Sequence, residues 1–193
     1  MVATEHEVDL VDDDTVSNLA RAALFAVLMG AFAYVSFPYP LSPIPITLQV
    51  LGVFLAGLFL GATWGSFAMI VYLVAGVMGA PIFAFGTAGL GVLFGESGGF
   101  LLSFPIAAAL IGFVAHGGIT AQHPRDIHLV RLVTAMVVGV IVIYGIGVTG
   151  MMIVLQLSLP EAVVLGALAF LPAEVAKMLA AIGIVRAERL AAV

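Results

Sequence analysis

Charge is what this sequence most lacks. Only 9% of its 193 residues are Asp, Glu, Lys or Arg, against about 25% in ordinary soluble domains. Hydrophobic residues make up 63%, and the mean hydropathy is +1.27. A soluble sphere of this size has no room to hide so much apolar surface, so the composition specifies an all-α integral membrane protein. Cysteine is absent, which excludes disulfides and thiolate metal sites and leaves the redox compartment unread. There is one lysine, Lys177, and it precedes Met178. No G-x-x-x-x-G-K-[ST] phosphate loop is therefore present, and the chain carries no ATPase motor of its own. With six basic residues in all, no nucleic-acid partner is expected.

Such charge as there is sits mostly at the start. Residues 1–18 hold six of the eleven acids and no Lys or Arg. This head lacks the basic region of a secretory signal and reads as an acidic, disordered cytoplasmic tail. Its acidity fits a high-salt cytoplasm and equally a plain solvated terminus.

A spanning helix needs about 20 apolar residues, and residues 19–193 read as one domain of six spans. The first covers 19–36 and places Ala22, Ala26 and Gly30 at four-residue intervals. Small residues so spaced let helix backbones approach closely in lipid, either to dock a partner or to pack within the bundle. Residues 37–46, FPYPLSPIPI, contain four prolines, which exclude a helix and impose an extended or turn conformation that displays Phe37 and Tyr39. Residues 47–60 and 66–79 form the next two spans, joined by a tight turn at 61–65 that includes Trp64. Gln49 stands at the mouth of the second span.

Residues 80–99, APIFAFGTAGLGVLFGESGG, are too apolar for an aqueous loop and too rich in glycine for a helix. Irregular backbone at membrane depth is tolerated where it lines a cavity, so this stretch reads as a re-entrant or lid-like segment presenting Phe83, Phe85, Gly86 and Gly89. The fourth span, 100–115, is broken by Pro105. A polar loop at 116–131 holds His116, His123 and His128, whose spacing suits a solvated loop better than a metal site. The fifth span is 132–155, 156–161 is a turn, and the sixth is 162–184, bent at Pro172.

Six spans put both termini on one side. The loops there carry Arg21, Arg125, Arg131, Arg186 and Arg189, and the opposite loops carry no Lys or Arg. The excess of Lys and Arg on cytoplasmic loops places both termini inside, and the two irregular loops face out. Beneath them, Glu174 and Lys177 lie three residues apart on one face of the last span. A charge at mid-depth costs at least ~2.5–3.5 kcal/mol. The pair is either a self-neutralising pin for the helix or the polar floor of an apolar pocket. Such a pocket suits a small amphipathic ligand that carries a carboxylate and N–H donors.

Residues 41–57, LSPIPITLQVLGVFLAG, resemble the hallmark stretch of the biotin-specific substrate-binding (S) components of energy-coupling factor (ECF) transporters, the BioY family. Residues 79–104, GAPIFAFGTAGLGVLFGESGGFLLSF, are similar to the family's second signature, and Pro172-x-Glu174-x-x-Lys177 resembles its acid-x-x-lysine. The resemblance runs in order from Ala20 to about Arg186. It implies the six-transmembrane-helix S-component bundle in the cell membrane, with a biotin pocket under the outer loops. Phe37, Tyr39, Gln49, Phe83, Phe85, Gly86 and Gly89 would line it, Lys177 would hold the carboxylate and Glu174 would accept N–H bonds, as two separate contacts. Ala22 and Ala26, with Gly30, would dock the transmembrane coupling subunit (the T component). Two cytoplasmic ATPases would supply energy from ATP, and no cofactor is expected. Glu174 replaces the family's usual Asp, and Gly95-Glu96-Ser97-Gly98-Gly99-Phe100 stands where Gly-Pro-Thr-Gly-Gly-Tyr is common.

Two other readings compete. Gly95-Glu96-Ser97-Gly98 fits the G-x-S-G of rhomboid-like intramembrane serine proteases, but these need a histidine on a later span, and none is available. An S component for another vitamin keeps the architecture and changes the cargo. A metal cargo is disfavoured by Val2, because nickel and cobalt S components have histidine there.

Overall fold

The computed structural model describes residues 12–190, with side chains through Ala187. Residues 1–11 of the acidic head lie outside this range. Helix α1 runs Asp13–Tyr34, so the last residues of the head expected to be disordered, from Asp13 to Asn18, are helical. Two acids in its first turn, Asp13 and Asp14, suit the positive end of the helix dipole.

The proline-rich loop is closed by a two-residue ladder. Strand β1, Ser36–Phe37, pairs antiparallel with β2, Ile46–Thr47, through Ser36 opposite Thr47 and Phe37 opposite Ile46. Tyr39 then fastens the loop to the far end of the chain. Its hydroxyl donates to the Ala169 carbonyl at 3.1 Å, and its ring meets Phe170 edge-on.

Helix α2, Gln49–Val77, is helical throughout except at Gly61, where φ is 76° and ψ −172°. That backbone belongs to glycine alone, and the chain folds back there. A straight helix would put Gln49 and Tyr72 about 34 Å apart at 1.5 Å per residue; instead their side chains share a hydrogen bond of 2.8 Å. The turn expected over 61–65 is thus compressed to Gly61, and Trp64 is helical. Arg21 caps the break by donating to the Phe59 carbonyl at 3.2 Å, one of the acceptors that a helix end leaves unpaired. The two limbs touch closely: a Cβ on Gly65 would lie 2.9 Å from the Ala56 carbonyl.

After α2 the chain is irregular, as expected, with short 3₁₀ turns at Ala84–Gly86 and Leu90–Phe94. Helix α3, Gly98–His116, continues through Pro105 without a break. The proline removes one hydrogen bond, which membrane helices tolerate when neighbours pack around them. His116 is the last residue of α3 and is buried, with Nδ1 accepting from the Gln122 N–H at 3.0 Å. It is therefore part of the packing and not of the solvated loop. No metal-holding group of three ligands occurs among the described residues.

A 3₁₀ turn at Pro124–Asp126 leads to α4, Leu129–Leu155. Helix α5, Leu159–Gly166, opens with a capping box in which the Ser158 N–H donates to Glu161 Oε2 at 3.0 Å, so it starts three residues earlier than the predicted span. The helix then breaks at Ala167, with φ −131° and ψ −62°, passes through a 3₁₀ turn at Leu168–Phe170 and resumes as α6, Leu171–Leu190. The break lies upstream of Pro172 because a proline ring clashes with the carbonyl four residues before it and is at home in a first helical turn. Near the other end of α6, Arg186 donates to the carbonyls of Arg125 and Ile127 at 3.2 and 3.0 Å.

Among the described residues the architecture is all-helical apart from the small ladder, and five stretches are long and apolar enough to cross a membrane, two of which are Gln49–Val77 and Leu159–Ala187. The core is centred on the first limb of α2, which is buried nearly all round, as befits the middle of a bundle. Ala22, Ala26 and Gly30 face this core. Ala22 has no exposed surface, and a Cβ on Gly30 would press on Ile82 at 3.2 Å. The small-residue stripe thus packs the chain's own helices together.

Candidate functional site

Under the proline loop and the 80–99 segment lies a cavity of about 340 Å³, a size that suits a small ligand. Its walls are apolar and largely aromatic: Phe83 and Phe85 from the irregular segment, Phe100 and Phe104 from α3, and Phe170 from the turn before α6. Its charged groups are Glu96, Glu174 and Lys177, and Tyr144 adds a hydroxyl from α4.

The polar centre is tightly wired. Lys177 Nζ donates to Glu174 Oε1 at 2.7 Å. The Tyr144 hydroxyl donates to the same oxygen at 2.9 Å. Glu174 and Lys177 are only 2% and 6% exposed, so both charges have been taken out of water. The second carboxylate oxygen, Glu174 Oε2, is buried without a partner among the described residues. An unpaired buried carboxylate oxygen is costly, and it remains a strong acceptor for any donor that reaches it. The expectation of two separate contacts is thus corrected: the side chains form one salt bridge.

The structure brings five of the expected residues to the cavity: Gln49, Phe83, Phe85, Glu174 and Lys177. Phe37, Tyr39, Gly86 and Gly89 are not among its lining. Phe37 is turned outward by its pairing with Ile46 and is 60% exposed. Tyr39 is spent on Ala169. Gly86 and Gly89, with φ of 69° and 94°, shape the segment, and the Gly89 N–H is committed to the Gly76 carbonyl at 2.8 Å. Phe85 itself has φ 57° and ψ 24°, a left-handed conformation that is rare for a bulky side chain and clusters at ligand sites.

Sequence reasoning missed Tyr144, Phe100, Phe104 and Phe170. For Tyr144 a signal existed, since it is the one tyrosine in the apolar run of α4. The phenylalanines carry no such mark, because an aromatic in a membrane helix looks the same whether it faces lipid, core or cavity.

The fold is that of a membrane S component. A solved structure, the S-component for biotin from an ECF-type ABC transporter, superposes with a TM-score of 0.80 over 93% of this chain and 94% of that one, at 24% identity. The BioY family model matches residues 4–192, and the chain belongs to the BioY family. It is similar to the probable biotin transporter BioY of Bacillus subtilis, 34% identical over 83% of each chain. The probable biotin transporter BioY of Pyrococcus horikoshii is 34% identical over 90% of this chain and 95% of its own. The biotin transporter BioY of Rhizobium etli is 32% identical over 85% and 88% respectively. The chain is thus a multi-pass membrane protein of a transporter family and not an enzyme.

Proposed function

We propose that this protein captures biotin from outside the cell in the cavity under its two irregular loops and passes it inward as the S component of an ECF-type transporter. The observation that carries the reading is the buried Glu174–Lys177 pair, which lines that cavity and keeps a spare acceptor, Oε2. Biotin's cyclic urea sets a carbonyl acceptor beside an N–H donor on one edge. An ammonium and a carboxylate in contact match that edge: Lys177 Nζ donates to the carbonyl while Glu174 Oε2 accepts the N–H. The aromatic walls take the fused rings and the aliphatic chain. Biotin's carboxylate then lies towards the irregular segment, among Thr87, Glu96 and Ser97. No histidine lines the cavity beside Ser97, which supports binding over serine hydrolysis.

In this reading the chain crosses the membrane six times, with α2 counted as two limbs folded back at Gly61, and both termini are cytoplasmic. Energy comes from ATP hydrolysed by two cytoplasmic ATPase partners through a T component. Because Ala22, Ala26 and Gly30 are used internally, the T component meets the outward face of α1, where Ala23, Leu24, Val27 and Ala31 are exposed. Equilibrium titration of the purified chain with biotin, with desthiobiotin, thiamine and riboflavin as competitors, tests the cargo. Biotin should bind, and desthiobiotin alone should compete. Competition by thiamine or riboflavin at comparable concentration would point to another vitamin.

A further inference from the structure

Gln49 enters the cavity from the start of α2, yet its side chain is only partly free to choose what it offers. The Gln49 side chain is buried, and its Nε2 lies 2.8 Å from the hydroxyl of Tyr72, which is itself wholly buried in the second limb. That hydroxyl also lies 3.0 Å from the main-chain carbonyl of Ile82. A carbonyl can only accept, so the single hydroxyl proton of Tyr72 goes to Ile82. Tyr72 is then left as an acceptor towards Gln49, and only an N–H of the amide satisfies it. This fixes which end of the amide is which on chemical grounds, where the two ends look alike in shape. The hydrogen bonds of Gln49 among the described residues run from its backbone N–H to Thr47 and from Nε2 to Tyr72, and neither uses the remaining end, Oε1.

We propose that Tyr72 is a positioning residue for ligand selection: by locking the Gln49 amide, it makes Gln49 Oε1 an acceptor for the second ureido N–H of biotin. The inference rests on the reading of biotin as the ligand. With Glu174 Oε2 accepting one N–H, the locked amide accepts the other, and the site distinguishes a urea from rings that lack either donor. Without the Tyr72 hydroxyl the amide turns over freely and presents a donor as readily as an acceptor.

The test uses biotin and two analogues in which one or the other ureido N–H is replaced by a ring oxygen, titrated against the full chain in detergent. Wild-type protein binds biotin and disfavours both analogues. Tyr72→Phe binds biotin about five- to tenfold more weakly, the worth of one hydrogen bond, and loses its preference at one nitrogen while keeping it at the other. Gln49→Met removes the acceptor outright, and adding Tyr72→Phe to it costs no further affinity, because Tyr72 acts through Gln49. Unchanged preference at both nitrogens in Tyr72→Phe, or losses that add in the double variant, would overturn the proposal. Should Tyr72→Phe fail to fold, Gln49→Met with the two analogues decides: preference lost at one nitrogen supports it, and preference kept at both overturns it. Wild-type protein that does not bind biotin would instead overturn the ligand reading.

Discussion

Tyr144 and Lys177 donate to one and the same oxygen, Glu174 Oε1, from α4 and α6, at 2.9 and 2.7 Å. Two donors on one oxygen of the carboxylate fix its rotation and leave Oε2 without a partner among the described residues. Tyr144→Phe removes one of them and leaves the ring in place. A hydrogen bond to a charged group is worth about 1.5–3 kcal/mol, so biotin affinity should fall at least tenfold with the fold intact. Titration of a monodisperse variant checks this; wild-type affinity would show that Lys177 alone orients the carboxylate.

Removing one partner of the pair should be worse than removing both. Lys177→Met strands the Glu174 charge, a loss of about 3–5 kcal/mol for a buried pair. Lys177→Met with Glu174→Leu should recover most of that stability but no biotin binding. Thermal unfolding with and without biotin separates the two effects, since only a protein that binds is stabilised by its ligand. Recovered stability together with a retained biotin shift would remove the pair from the site.

Glu96 leaves the cavity lining with one uncompensated negative charge beside the neutral Glu174–Lys177 pair. Biotin's carboxylate is negative too. Glu96→Gln should therefore tighten biotin about two- to fivefold at low ionic strength, with the gain shrinking as salt screens it. Biotinamide, which lacks the charge, should bind both proteins alike. Equal gains for both ligands would mean that Glu96 acts through shape.

Gly61 carries the reversal of α2 with a backbone that only glycine adopts without strain. Gly61→Ala should cost about 1–3 kcal/mol of stability, and its new methyl would also meet Ala121 at 2.9 Å. The unfolding midpoint in detergent should drop. Biotin affinity of the folded fraction should not, because the turn lies away from the cavity lining.

How far the sequence could be read depended on the kind of force at each position. Lipid leaves a strong imprint, so the apolar runs, the proline loop and the irregular 80–99 segment were legible from composition. Glu174 and Lys177 were legible because buried charge is expensive and therefore rare. Helix ends were less so: Pro105 and Pro172 look alike in sequence, yet one sits inside α3 and the other in the first turn of α6. The facing of small residues was not legible either. Four-residue spacing gives Ala22, Ala26 and Gly30 a common side, but only the packing of α2 and Ile82 says that this side is inward. Tyr39 and Phe37 show the same limit in a loop, where pairing across two residues decides which ring turns in.

The hold of Arg186 on the carbonyls of Arg125 and Ile127 has a mechanical consequence. Nine residues, about 13.5 Å of α-helix, separate it from Lys177 along a helix without a break. The rod that carries Lys177 into the cavity lining at one end is thus bolted at the other to the loop between α3 and α4. Any pivot of α6 must swing that loop with it.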